Sequence, residues 1–162
     1  KQTLYELVCT YCRAVDRKDL ALLERLYHPD AVHDHGGMFR GGPAELSRWL
    51  ARALDGIVTH HFVGNALFLV EGDRAEGEIY TVNHHLIPGE AGARLYVAGG
   101  RYLDRYLRHS GRWLFLHRQR VIDWSEERPA GADDASTGVA RGAAAPDDPS
   151  RDVLPGLTRA RW

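Results

Sequence analysis

Thr59-His60-His61-Phe62-Val63-Gly64-Asn65 sets two adjacent histidines at the head of an apolar run, Ala66 to Val70. The run alternates and is rich in Val, Leu and Phe, which predicts a strand. Strand side chains point alternately to opposite faces, so His60 and His61 cannot serve one site; one of them faces whatever the sheet encloses. An imidazole there becomes a general base when a carboxylate meets it. Asp16 is the candidate partner, one turn after Cys12 and beside the apolar stripe of an opening helix. Near a helix C-terminus the dipole disfavours a carboxylate unless a cation or proton donor compensates it. Such an acid fixes the imidazole tautomer and stabilises the imidazolium, leaving the other ring nitrogen free to take a proton. In an apolar pocket that proton lies α to a carbonyl or next to a leaving group. The chemistry is elimination or isomerisation of a small apolar cyclic compound. His85, or a tyrosine such as Tyr11, Tyr80 or Tyr102, would protonate a departing hydroxyl, with His84 competing for the His85 role. By alternation Asn65 shares a face with Thr59, His61, Val63 and Leu67, and would orient a substrate oxygen.

Other polar groups divide between chemistry and structure. His33 and His35 share a face of a short strand and with Asp34 resemble an H-x-H metal motif, but Asp34 points away and no Glu follows at metal-site spacing. His35 is therefore read as pocket lining, with no metal and no cofactor. Cys9-Thr-Tyr-Cys12 matches C-x-x-C but lies inside a helical pattern, which predicts two core thiols one turn apart. Arg101, Arg105, Arg118 and Arg120 on paired strands read as a solvated or interfacial face.

The elements that must position these groups follow from periodicity. Leu4, Leu7, Val8, Tyr11, Cys12 and Val15 predict a helix from Gln2 to Asp16. Asp19 reads as the N-cap of a second helix, Leu20 to Tyr27, stopped by His28-Pro29-Asp30. Ala31 to His35 reads as a short strand and Met38 to Arg40 as another. Pro43 opens a third helix to Leu54. Four long strands then follow, Ile57–Glu71, Arg74–Leu86, Arg94–Arg108 and Arg112–Trp124, with Gly99-Gly100 as a bend. The expected architecture is α+β, with N-terminal helices packed on a strongly curved, mostly antiparallel sheet. Leu50, Trp49, Phe62, Phe68, Tyr96, Phe115 and Trp124 are its expected pocket packing.

The 162 residues suffice for one core, and a formal net charge of −1 gives no argument for nucleic acid or an anionic membrane as partner. No apolar run approaches the roughly 20 residues of a membrane helix. Two closely spaced cysteines make a reduced, cytoplasmic setting the default. After Trp124 the composition turns to Ala, Gly, Asp, Pro and Arg, which predicts a domain over residues 1–124 and a flexible tail over 125–162.

Helices first, then a curved sheet, with an Asp ending helix one and a His opening the first long strand, resembles the SnoaL-like, or NTF2-like, superfamily and its cone-shaped α+β barrel. Val15-Asp16-Arg17-Lys18-Asp19 and Thr59-His60-His61-Phe62-Val63-Gly64 resemble segments of the scytalone dehydratase family. The resemblance implies an active-site pair Asp16 and His61, a second active-site histidine at His85, and an interior pocket for a small hydrophobic molecule. The hexachlorocyclohexane dehydrochlorinase family carries an Asp/His dyad at the same two places. His35 departs from the dehydratase pattern, which has a tyrosine there. Tyr11, Trp49, Tyr80 and Trp124 join His35 and Asn65 as expected substrate contacts. The implied activity is a cofactor-independent dehydratase-type lyase. The alternatives are an isomerase, cyclase or hydrolase of polyketide- or steroid-like compounds, marked by a second pocket carboxylate among Glu78, Asp104 and Asp123, or a non-catalytic binding or assembly module. Homo-oligomers, dimer or trimer, are expected through the exposed sheet face.

Overall fold

A computed structural model describes residues 1–131 and 138–159. Helix α1 (Gln2–Asp16) and helix α2 (Leu20–Arg25) precede strand β1 (Tyr27–Asp34). A single 3-10 turn, Gly36–Met38, leads to the two-residue strand β2 (Arg40–Gly41) and helix α3 (Pro43–Ala53). Strands β3 (Val58–Glu71), β4 (Arg74–Ile87), β5 (Arg94–His109) and β6 (Arg112–Pro129) form the meander. The six strands lie in the order β2-β1-β6-β5-β4-β3, antiparallel except where β1 runs parallel to β6. The sheet is open and the helices pack on one face, the α+β architecture expected. Two short helices, α4 (Ser150–Val153) and α5 (Pro155–Arg159), end the described chain.

Local chemistry explains most boundaries. The Asp19 side chain accepts from the Leu22 N–H at 3.0 Å, capping α2. Pro43 opens α3, and the Glu45 carboxylate reaches back to the Gly42 N–H at 2.9 Å. The first strand differs from expectation. It starts at Tyr27, because the Tyr27 ring is needed in the core, and Pro29 falls in the stretch where pairing with β6 is broken between Tyr27 and Val32. The last strand runs five residues past Trp124, pairing Ser125 to Pro129 with β5.

Leu4, Leu7, Val8, Tyr11 and Val15 of α1 pack with Leu22, Leu23, Leu26, Leu46, Ile79, Tyr102, Tyr106 and Phe115 to make the core. Within it Arg118 is fully buried, which corrects its reading as a surface residue. Its guanidinium donates to Asp104 at 2.8 and 2.6 Å and lies 4.0–4.2 Å from the ring centres of Tyr11, Tyr102 and Phe115. Tyr106 adds a third donor to Asp104 at 2.7 Å. A charge this deep survives only when paired and hydrogen-bonded in this way. Beyond β6 the chain returns to the end of α1. The Ala145 N–H donates to the Arg17 carbonyl at 2.6 Å, Arg17 pairs with Asp148 at 3.1 Å, and Arg13 donates to Ser150 at 2.8 Å.

Candidate active site

The end of α1 meets the start of β3. The Thr59 hydroxyl and His61 Nδ1 both reach Asp16 Oδ1, at 2.8 and 2.6 Å, and the His61 backbone N–H donates to Oδ2 at 3.0 Å. These donors supply the compensation that a carboxylate at a helix C-terminus needs. Burial works to raise the Asp16 carboxyl. The His61 side chain and backbone and the Thr59 hydroxyl outweigh it, and the carboxyl is held below its ordinary value. The side chains are 13% (Asp16) and 6% (His61) exposed, so the pair is shielded from bulk water. With Nδ1 turned to the acid, Nε2 is the nitrogen available for proton transfer.

His61 lines a cavity of about 290 Å³ under α1 and α3. Val15, Trp49, Leu50, Leu54, Ile57, Ile87 and Ile122 make its apolar walls. Tyr11, His35, Asn83, His85, Tyr102 and Arg120 supply polar groups. The His85 ring centre lies 6.0 Å from that of His61 and 5.8 Å from that of Tyr96. Burial, followed by the neighbouring His61, lowers His85 to about 4; burial, followed by Arg120 and His61, lowers His35 to about 4. Both are neutral at neutral pH. Among the described residues, no group of three His, Cys, Asp or Glu side chains is arranged to hold a metal.

Of the nine residues singled out in the sequence, Asp16, His61, His85, His35, Tyr11 and Trp49 come together here, Asp16 as the anchor behind His61. Asn65, Tyr80 and Trp124 do not. They share a groove on the opposite face of the sheet with Phe62 and Val82. A bulge lies between Val63 and Ala66, where three steps on β3 match two on β4, and it turns Asn65 outward and Ala66 and Phe68 inward. Another sits at Gly99-Gly100, where β6 carries the extra residue Asp123; without it Trp124 would face the cavity beside Ile122. Instead its indole lies over Gly99, where an added Cβ would come within 2.2 Å of the ring. Tyr80 was a matter of parity: five residues from His85 on a regular strand, it must face the other way. The same parity identifies Asn83 and Thr81 as facing inward, a signal the sequence did contain. Arg120, read as a surface group, donates to Thr81 Oγ1 at 3.0 Å and the Ala98 carbonyl at 3.3 Å from inside the cavity.

Residues 2–119 match the SnoaL-like domain family. The chain belongs to that family. A SnoaL-like relative, an uncharacterised protein of Mycobacterium tuberculosis, is 26% identical over 118 residues, spanning 71% of this chain and 80% of that protein. Among solved structures, a type 2 hexachlorocyclohexane dehydrochlorinase superposes with a TM-score of 0.73 at 19% identity, over 85% of this chain and 94% of its own. A candidate scytalone dehydratase from Novosphingobium aromaticivorans gives 0.70 at 17% identity, over 86% and 94%. A Kribbella flavida protein gives 0.70 at 16% identity, over 77% and 91%. At these identities the structural matches show the SnoaL-like fold alone. Among the described residues no helix is long and apolar enough to cross a membrane.

Proposed function

We propose that the protein is a cofactor-independent lyase that eliminates water, or a comparable leaving group, from a small apolar cyclic substrate. The observation that carries this reading is the 2.6 Å contact between Asp16 Oδ1 and His61 Nδ1 on the wall of an enclosed apolar cavity. His61 Nε2 takes the proton from carbon, the C–H electron pair forms the new double bond, and the bond to the leaving oxygen breaks. The His61 imidazolium, stabilised by Asp16, then returns the proton to the departing hydroxide, so water leaves and the base is restored. His85, neutral above about pH 4, serves as a hydrogen-bonding group rather than a proton source. The volume lies near the lower end of the roughly 300–1,000 Å³ usual for ligand pockets, which suits a ligand of one or two rings. The structural resemblance to a dehydrochlorinase and a candidate dehydratase supports the same class.

The isomerase or cyclase alternative called for a second carboxylate in the pocket. Glu78 and Asp123 are bound to Arg101 and Asp104 to Arg118, all away from the cavity lining, which weighs against it. A binding-only module is separated by experiment. The protein is screened against β-hydroxy ketones and cyclic alcohols, with water loss followed by absorbance of the conjugated product. With a substrate in hand, His61→Ala is expected to lower turnover by about 10²–10⁴-fold with the circular dichroism spectrum unchanged. Full activity in that variant refutes the assignment.

A further inference from the structure

A hydrogen-bonded string runs from the core to the cavity. The Tyr27 hydroxyl lies 2.7 Å from His33 Nδ1, and His33 Nε2 lies 2.7 Å from His35 Nδ1. Tyr27 is 4% and His33 1% exposed, whereas His35 lines the cavity together with His61. We infer that Tyr27 and His33 are positioning residues that lock His35 as an Nε2–H donor for a substrate carbonyl oxygen, so that the substrates of this site are ketones rather than halides. The inference rests on the reading of His61 as the base.

The direction of the string follows from proton counting. Burial holds the Tyr27 hydroxyl well above its ordinary value and His33 well below its own, and His35 sits at about 4, so near neutrality each of the three carries one exchangeable proton. Among the described residues the Tyr27 hydroxyl has one hydrogen-bond partner, His33 Nδ1. If His33 Nδ1 carried the proton instead, the Tyr27 hydrogen would be buried with no acceptor, a bias of roughly tenfold or more against that arrangement. Tyr27 therefore donates to His33 Nδ1, His33 Nε2–H donates to His35 Nδ1, and the remaining proton resides on His35 Nε2. Asp34, which could disturb this, is engaged by Arg40 and the Gly36 N–H.

A neutral imidazole fixed this way is a poor acid but a preorganised donor. When His61 removes a proton α to a carbonyl, negative charge develops on the oxygen, where such a donor acts most strongly. A halide offers no oxygen to accept from it.

The test uses the full chain with ¹⁵N-labelled histidine, reading ring-nitrogen protonation by NMR near neutral pH, with the His35 signals assigned by their loss in His35→Gln. His33 and His35 are expected with Nε2 protonated and Nδ1 bare. Tyr27→Phe is expected to release the His35 Nδ1–H tautomer while His61 keeps its proton on Nδ1. Binding of 1-tetralone and of tetralin, which differ in the carbonyl oxygen, completes the test. Tyr27→Phe is expected to weaken 1-tetralone by about tenfold and leave tetralin unchanged. A wild-type His35 protonated on Nδ1, a tautomer indifferent to Tyr27, equal effects on both ligands, or no binding of 1-tetralone would each overturn the inference. None of these readouts needs turnover, so their failure is distinguishable from failure of His61 as base.

Discussion

Asp16→Asn is the sharpest perturbation of the site because every contact to the carboxylate is a donor. The Thr59 hydroxyl and His61 Nδ1 converge on Oδ1 and the His61 backbone N–H occupies Oδ2. An asparagine of the same shape offers one acceptor and one NH₂. With the NH₂ at the Oδ2 position it opposes the backbone N–H, which cannot change. With the NH₂ at the Oδ1 position, Thr59 can rotate, but His61 must move its proton to Nε2. The second arrangement leaves no two donors facing each other, so the variant folds with the wrong imidazole tautomer. Hydrogen bonds to a charged acceptor contribute about 1.5–3 kcal/mol each, and relief of carboxylate desolvation offsets part of their loss, giving a net cost of about 2 kcal/mol. Turnover is expected to fall by about 10⁴-fold, the order associated with a misplaced imidazole proton in a carboxylate–imidazole catalyst. Urea unfolding measures the first quantity and single-turnover kinetics the second. The sign with pH is also fixed. The folded carboxyl is held below the ordinary 3.8, so its stabilisation is present above that value and is lost as pH falls through the folded one. The stability gap between wild type and variant must therefore close in acid. A gap independent of pH, or turnover within tenfold of wild type, refutes the account.

Three further outcomes are expected. His35 and His85, both lowered to about 4 from 6.5, take up protons later in the folded than in the unfolded chain. Stability is complete above 6.5 and falls as pH drops towards 4, and His85→Gln should flatten the urea midpoint across that window; an unchanged slope contradicts it. Arg118→Met strands the buried Asp104 and should cost about 3–5 kcal/mol in urea unfolding, with the double variant Arg118→Met/Asp104→Leu recovering much of it; a single variant as stable as wild type contradicts the buried pair. Phe62, Leu67 and Trp124 are 60%, 69% and 51% exposed on the outer sheet face, so light scattering should give a dimer or trimer that Phe62→Glu weakens; a wild-type monomer contradicts this.

The parts of the site legible in the sequence are those set by residue type and unbroken period. Asp16 sits at the end of a helix whose stripe is clear, and Thr59 and His61 precede any irregularity on β3, so their face is what simple alternation gives. Thr81, Asn83 and His85 obey the same rule on β4, and there Tyr80 was misassigned although the parity was available. Asn65 and Trp124 fail for another reason. Each lies just past a bulge, where one extra residue reverses inside and outside for everything that follows. Gly99-Gly100 announced a bend, but the extra residue, Asp123, is on the neighbouring strand, and nothing in the β6 sequence marks it. Arg118 and Arg120 were hidden in a similar way. A guanidinium reads as surface until its partner is known, and Asp104 and the surrounding rings come from other strands and from α1. The His33–His35 pair was visible as a shared face, yet its link to Tyr27 was masked by the expectation that Pro29 ends a helix rather than occupying a break in strand pairing. Long-range polar pairing and bulge position are therefore what coordinates added. Both decide which groups meet a ligand, and neither alters the residue types from which the chemistry was inferred.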